Sequence, residues 1–185
     1  MQHYYQNIQG WFSYEWIYCE MVARAPSSGA RFVEIGCWKG RSSVFLAVET
    51  INSGKQIELN FIDTWAGSNE EDHQTRDEVI NDTLYSTWQK NMTPFRGKFN
   101  HFRIDSVRAA ELFEDRSVDF IMIDGAHEEE SVIKDINAWL PKMKIGGIMT
   151  GDDCWEGTGP RAAAEKVLAK YNVTFPSNHF FAIIE

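Results

Sequence analysis

Short apolar runs bounded by polar residues alternate along this chain with stretches in which apolar side chains recur at every third or fourth position. The first kind suits strands buried on both faces and the second suits amphipathic helices. Their alternation predicts a doubly wound α/β fold, a mostly parallel sheet with helices on both sides. Strands are predicted at residues 31–35, 57–63, 99–104, 118–123, 147–151, 173–175 and 179–184. Helical spacing links Val44, Val48 and Ile51, then Ile80, Leu84 and Trp88. It recurs at Val132, Ile133, Ile136, Trp139 and Leu140, and at Ala164, Val167, Leu168 and Tyr171, with a shorter helix at 106–113. Pro141 closes the helix before the fifth strand, and Pro160 sits where a first helical turn accepts proline.

Two segments stand outside the alternation. Residues 1–28 contain "GWFSYEWIYCEMVARA", which reads as an added helix with Phe12, Trp16, Ile17 and Met21 facing inward for packing. Residues 64–98 open with "TWAGSNEEDHQTRDEV", longer and more polar than a tight crossover needs, and are a candidate lid. His73 and Trp65 lie in or beside it and read by default as surface residues of a mobile loop, with lining of a substrate mouth as the alternative.

Length and charge narrow the classes. A chain of 185 residues holds one well-cored domain rather than two. A formal charge of -9 with no cluster of Lys and Arg works against phosphate backbones, so no nucleic-acid partner is expected. Cys19, Cys37 and Cys154 are odd in number and form no C-x-x-C pair, which indicates neither a disulfide framework nor a zinc site, and a reducing compartment. No basic leader with an apolar core follows Met1 and no run reaches membrane-span length, so a cytoplasmic protein without a membrane partner is expected.

In open α/β sheets ligands bind outside the carboxyl ends of the strands, and here those ends are acidic. The strands are followed by "EIGCWKG", "IDTW", "RIDS", "IDGAH" and "GDD" in turn. In "EIGCWKGRSS", Gly36 and Gly40 separate a strand from a helix and let the backbone approach a ligand, with Glu34, Lys39 and Ser42 beside them. The same residues also fit a tight turn in which Glu34 is simply a buried hydrogen-bonding group. Asp63, followed by Thr64 and Trp65, suits a pair of ribose hydroxyls, and it could equally cap a helix.

With these residues assembled, the chain resembles the class I S-adenosylmethionine-dependent methyltransferases over nearly its whole length. "EIGCWKG" is similar to that family's first motif, Asp63 to its ribose acid, and Asp105 with Ser106 to its adenine-side loop. The resemblance implies a seven-stranded sheet with the last strand, 179–184, antiparallel. In that order Asp124, Asp152 and Asp153 end adjacent strands and bring three carboxylates to one mouth, where a divalent cation bound by oxygens, magnesium or another, would neutralise them. Asp152 and Asp153 can share an ion only if the strand has already turned, which Gly151 permits.

The pair of "D-G-x-H" and "G-D-D" motifs resembles the metal-dependent O-methyltransferases of macrolide sugars. Those enzymes carry Glu-Asp where this chain has Asp152-Asp153, and catechol O-methyltransferase, similar in layout, has lysine in place of His127. The implied acceptor is a hydroxyl of a sugar- or polyol-like small molecule. His127 is the expected general base, with a free-solution pKa of ~6.5 that neighbouring anions raise and the cation offsets. An interior histidine bonded to a loop carbonyl is the alternative. Two rivals come from other classes: a nicotinamide-dependent oxidoreductase, disfavoured because the third glycine after Gly36 is missing, and a non-catalytic module on the same fold.

Overall fold

The computed structural model describes residues 1–68 and 71–185, apart from the side chain of residue 72. Residues 69 and 70 of the expected lid therefore lie outside the described residues. Six strands form the sheet: β1 (Ser28–Ile35), β2 (Gln56–Asp63), β3 (Phe99–Arg103), β4 (Val118–Ile123), β5 (Met143–Gly151) and β6 (Phe180–Ile183). Their order is β3-β2-β1-β4-β5-β6, parallel except for β6, which runs antiparallel to β5.

The seventh strand does not form. Residues 173–175 contribute only the isolated antiparallel bridge from Thr174 to Phe181. Pro176 lacks an amide donor and opens a short 3-10 turn in which Ser177 takes a left-handed conformation, so the segment ends before a ladder can extend.

Side chains alternate across the sheet as the strand period demands. Phe32, Leu59, Phe61, Phe120 and Met122 enter one apolar layer, and Val33, Ile35, Ile62, Ile121 and Ile123 enter the other. The first layer is covered by α1 (Glu15–Arg24) and α2 (Arg41–Ser53). The second is covered by α6 (Ser106–Ala110), α7 (Glu129–Trp139) and α8 (Gly159–Val167). Both prolines act as expected, Pro141 in the 3-10 turn that follows α7 and Pro160 in the first turn of α8.

In the connection after β2 the single helix expected through Ile80, Leu84 and Trp88 is broken. The chain forms α3 (Glu71–Gln74), α4 (Asp77–Ile80) and α5 (Leu84–Asn91). Asp82 in the left-handed region separates the last two, leaving Ile80 exposed while Leu84 and Trp88 are fully buried. Much of the second half of the expected lid is thus part of the body. Residues that border the cavity described below are Thr64, Gly67, Ser68 and His73. In α1, Ile17 and Met21 face inward as expected, but Trp16 is exposed, and Tyr14 and Tyr18 take the buried face instead. All three cysteines are free. Among the described residues no helix is long and apolar enough to cross a membrane.

Candidate functional site

Strand order reverses between β1 and β4, so the crevice of this sheet lies at their carboxyl ends. The strands nearly touch there. Gly36 adopts φ +85, and a Cβ on it would stand 1.8 Å from the carbonyl oxygen of Asp124. Its glycine is required by this backbone approach and by the turn, because any side chain would drive β1 and β4 apart. The Asp124 amide in turn donates to Ile35 O at 2.8 Å.

A cavity of about 990 Å³ opens over this point. Six aspartates line it (Asp63, Asp105, Asp124, Asp135, Asp152 and Asp153) against two strongly basic side chains, Arg41 and Lys134. Its volume suits a drug-sized or cofactor-sized molecule, and its charge favours a cationic one.

Asp63 ends β2 at one side of the cavity. Its Oδ2 accepts from the amides of Cys37 (2.7 Å) and Trp38 (2.9 Å), and its Oδ1 accepts from the amide of Trp65 (2.7 Å). The Thr64 amide acts on the carboxylate as well, so the backbone of both turns holds it at the strand end. Burial pushes the carboxyl upward, and the amide donors act in the opposite sense. Asp63 therefore ties the turn after β1 to the end of β2 at the edge of the cavity. Asp105 caps α6, accepting from Val107 N at 3.0 Å and Arg108 N at 3.3 Å, and Ser106 Oγ accepts from Trp139 Nε1 at 2.9 Å. Both line the cavity, as do Gly36, Ser42 and Thr64.

The other residues singled out around the first turn sit elsewhere. Glu34 is buried beneath it, its Oε1 accepting from Ser42 and Ser43 (2.8 Å each) and its Oε2 from Tyr18 (3.0 Å). Burial raises its pKa to about 7 even against these three donors and with Asp63 nearby. Lys39 pairs with Glu78. Gly40 packs against Trp88 at the start of α2. Trp65, with φ +52, turns into the core and donates Nε1 to Trp38 O at 2.9 Å. Trp65 is fully buried and does not line the cavity, whereas His73 does, stacked on Trp38 with ring centroids 4.5 Å apart.

At the ends of β4 and β5 the acids divide. Ligand atoms of Asp124, His127 and Asp153 all lie within 4.8 Å of one another, a set that could hold a metal ion. His127 Nε2 stands 3.0 Å from Asp153 Oδ2, and that contact keeps the Asp153 carboxyl below its ordinary range. Asp124 is pushed well above its ordinary range by burial and by the charges of Asp152 and Asp153. The third expected carboxylate, Asp152, also lines the cavity and acts on Asp124, with one of its oxygens already engaged. Asp152 Oδ1 accepts from the Asp153 amide at 2.8 Å and lies 3.0 Å from Nε2 of the buried His179. Burial lowers the His179 imidazole, but Asp152 overrides it and leaves it raised. The chain does turn after Gly151, and Asp153 has φ +56, yet that turn aims the two neighbouring aspartates at different partners.

Sequence reasoning passed over two residues here. Tyr14 donates to Asp124 Oδ2 at 2.7 Å, and His179 faces Asp152. Neither lies in a motif. Ser131, Lys134 and Asp135 of α7 also line the cavity, and only the strand order brings that helix over the crevice.

A family profile described as a methyltransferase domain matches residues 33–154. No curated protein sequence matches the chain. Among solved structures, the O-methyltransferase NovP is similar with a TM-score of 0.69 at 12% identity, covering 92% of this chain and 78% of its own. SAH-bound PaMTH1, a Podospora anserina methyltransferase, gives a TM-score of 0.62 at 14% identity, with 92% and 76% covered. Cofactor-bound Rv0187 from MTB gives 0.58 at 13%, with 92% and 79% covered. At these identities the likeness establishes a shared fold.

Proposed function

Because the chain belongs to the methyltransferase domain family, we propose that it transfers the methyl group of S-adenosylmethionine to a hydroxyl of a sugar- or polyol-like small molecule, with a divalent cation held beside the acceptor. One observation carries this reading. The carboxylates of Asp124 and Asp153, with His127 beside them, line the same cavity as Asp63 and the loop at Asp105 and Ser106.

The residues fit both groups. For the cofactor, the cavity is large and acidic, the Asp63 carboxylate lines it at the strand end where a ribose would meet it, and the Gly36 turn lines it beside Asp63. For the cation, Asp124 and Asp153 offer oxygens, the donor type magnesium or manganese takes, and His127 stands beside them with its lone pair left for a proton. When bound, S-adenosylmethionine supplies an electrophilic methyl group, and a divalent ion lowers the pKa of a hydroxyl next to it. His127 takes the hydroxyl proton at Nε2. The imidazolium so formed faces Asp153 Oδ2 at 3.0 Å, which offsets its charge. Asp152 and His179 hold the turn that carries Asp153. The acidic lining disfavours anionic acceptors.

Methyl transfer from labelled S-adenosylmethionine to a panel of sugars, polyols and phenols, with Mg²⁺ or with excess EDTA, tests the proposal. Turnover of a hydroxyl compound that stops with EDTA and returns with added cation is expected. Full turnover in EDTA would overturn the role of the ion, and binding of nicotinamide cofactors in place of S-adenosylhomocysteine would overturn the reaction class.

A further inference from the structure

We propose that Tyr14 is a positioning residue for Asp124, its phenol holding the carboxylate in the orientation a cation requires; this rests on the cation-assisted reading given above. Tyr14 lies outside residues 33–154, the stretch matched by the family profile. It is fully buried at the start of α1, and its hydroxyl donates to Asp124 Oδ2 at 2.7 Å.

Three aromatic rings surround the buried Tyr14 ring. Phe12 meets it edge-on at 4.7 Å, Tyr18 at 5.3 Å and His179 at 5.8 Å between centroids. The direction of the O–H group is thus set by packing before any ligand arrives. Asp124 needs such a guide because its backbone is anchored to Ile35 while its side chain faces the like charges of Asp152 and Asp153. Without a donor the carboxylate would rotate away from its neighbours, and an ion would have to draw it back. One oxygen fixed by a phenol leaves the group in place beside His127 and Asp153. A ligating carboxylate held by an outer hydrogen bond loses roughly 10- to 100-fold in metal affinity when that bond is removed.

One helical turn further on, Tyr18 projects from the same face of α1 and donates to Glu34 at 3.0 Å. The helix therefore delivers two phenols to carboxylates at the ends of the two strands that flank the switch point.

Calorimetric titration of Mn²⁺ alone into the metal-stripped protein tests this on wild type, Tyr14→Phe, Asp124→Asn and Tyr4→Phe. The last removes a phenol that bonds Asn91 O in the same segment, away from the cluster. Wild type and Tyr4→Phe are expected to bind with equal affinity, Asp124→Asn to lose binding, and Tyr14→Phe to bind about 10-fold more weakly or worse with its affinity for S-adenosylhomocysteine unchanged. Unaltered Mn²⁺ affinity in Tyr14→Phe overturns the proposal while leaving the cation reading intact. No Mn²⁺ binding by wild type overturns both. If Tyr14→Phe fails to fold, Tyr14→Met takes its place: its thioether has no hydrogen to donate to Asp124, and wild-type affinity in that variant overturns the proposal equally.

Discussion

Replacing Glu34 by glutamine should change how stability responds to pH. The side chain is buried at the end of β1 and accepts three hydroxyl hydrogens, yet burial lifts its pKa from an ordinary 4.5 to about 7. Below 4.5 the carboxyl is protonated in both folded and unfolded chains, and its contribution is fully present. Between 4.5 and about 7 the unfolded chain gives up the proton while the folded chain keeps it, so each step of one pH unit removes about 1.4 kcal/mol of stability. Above about 7 both forms are ionised and the loss is complete, roughly 3 kcal/mol in all. Glutamine is neutral throughout and of nearly the same shape, with an amide oxygen for the two serines and an amide group facing Tyr18. Urea unfolding of both proteins from pH 4.5 to 8 isolates the term, since every other titrating group cancels in the difference. The stability of Glu34→Gln relative to wild type should rise by about 3 kcal/mol across that window. A difference that stays flat would mean that Glu34 is ionised in the fold at all these pH values, and the desolvation reasoning would be refuted.

Other expectations follow from the same geometry. His127→Ala should lower turnover by roughly 10²- to 10⁴-fold with cofactor affinity retained, as measured by steady-state kinetics and calorimetry; undiminished turnover would remove the histidine from proton transfer. Asp63→Ala should weaken binding of S-adenosylhomocysteine by roughly 10- to 100-fold, the worth of a hydrogen bond to a charged group, and also lower the melting temperature because three amides lose their acceptor. Gly36→Ala should destabilise by more than about 3 kcal/mol in denaturant titration, since a methyl group 1.8 Å from Asp124 O cannot be accommodated without moving a strand.

The parts of this molecule legible in its sequence are those fixed by local chemistry. An apolar run closed by an acid, as at Ile62-Asp63 and Ile123-Asp124, announces a buried strand and its polar end together, and the sheet places both acids on one cavity. What escaped depends on contacts between distant segments or on single dihedral angles. Nothing in "IDTW" reveals that Trp65 takes φ +52 and enters the core rather than the mouth. Asp152 and Asp153 are chemically alike, and only the buried His179 from the far end of the chain separates them. Residues 173–175 have strand composition but only one bridge in which to use it. Tyr14 and Trp16 were indistinguishable as aromatic residues near a helix start, and the direction of α1 over the sheet chose between them.

The packing of Tyr14 against His179 joins positions near opposite ends of the chain, 5.8 Å apart behind the cluster. Contacts of such large sequence separation are expensive to close and come late in folding. The sheet from β1 to β5 can therefore be in place before β6 arrives, but the pocket cannot be finished until it does. A chain in which β6 has not yet docked would carry the donor side of the crevice in recognisable form and leave Asp152 without its imidazole, so that ligand capture waits on that last pairing of the sheet.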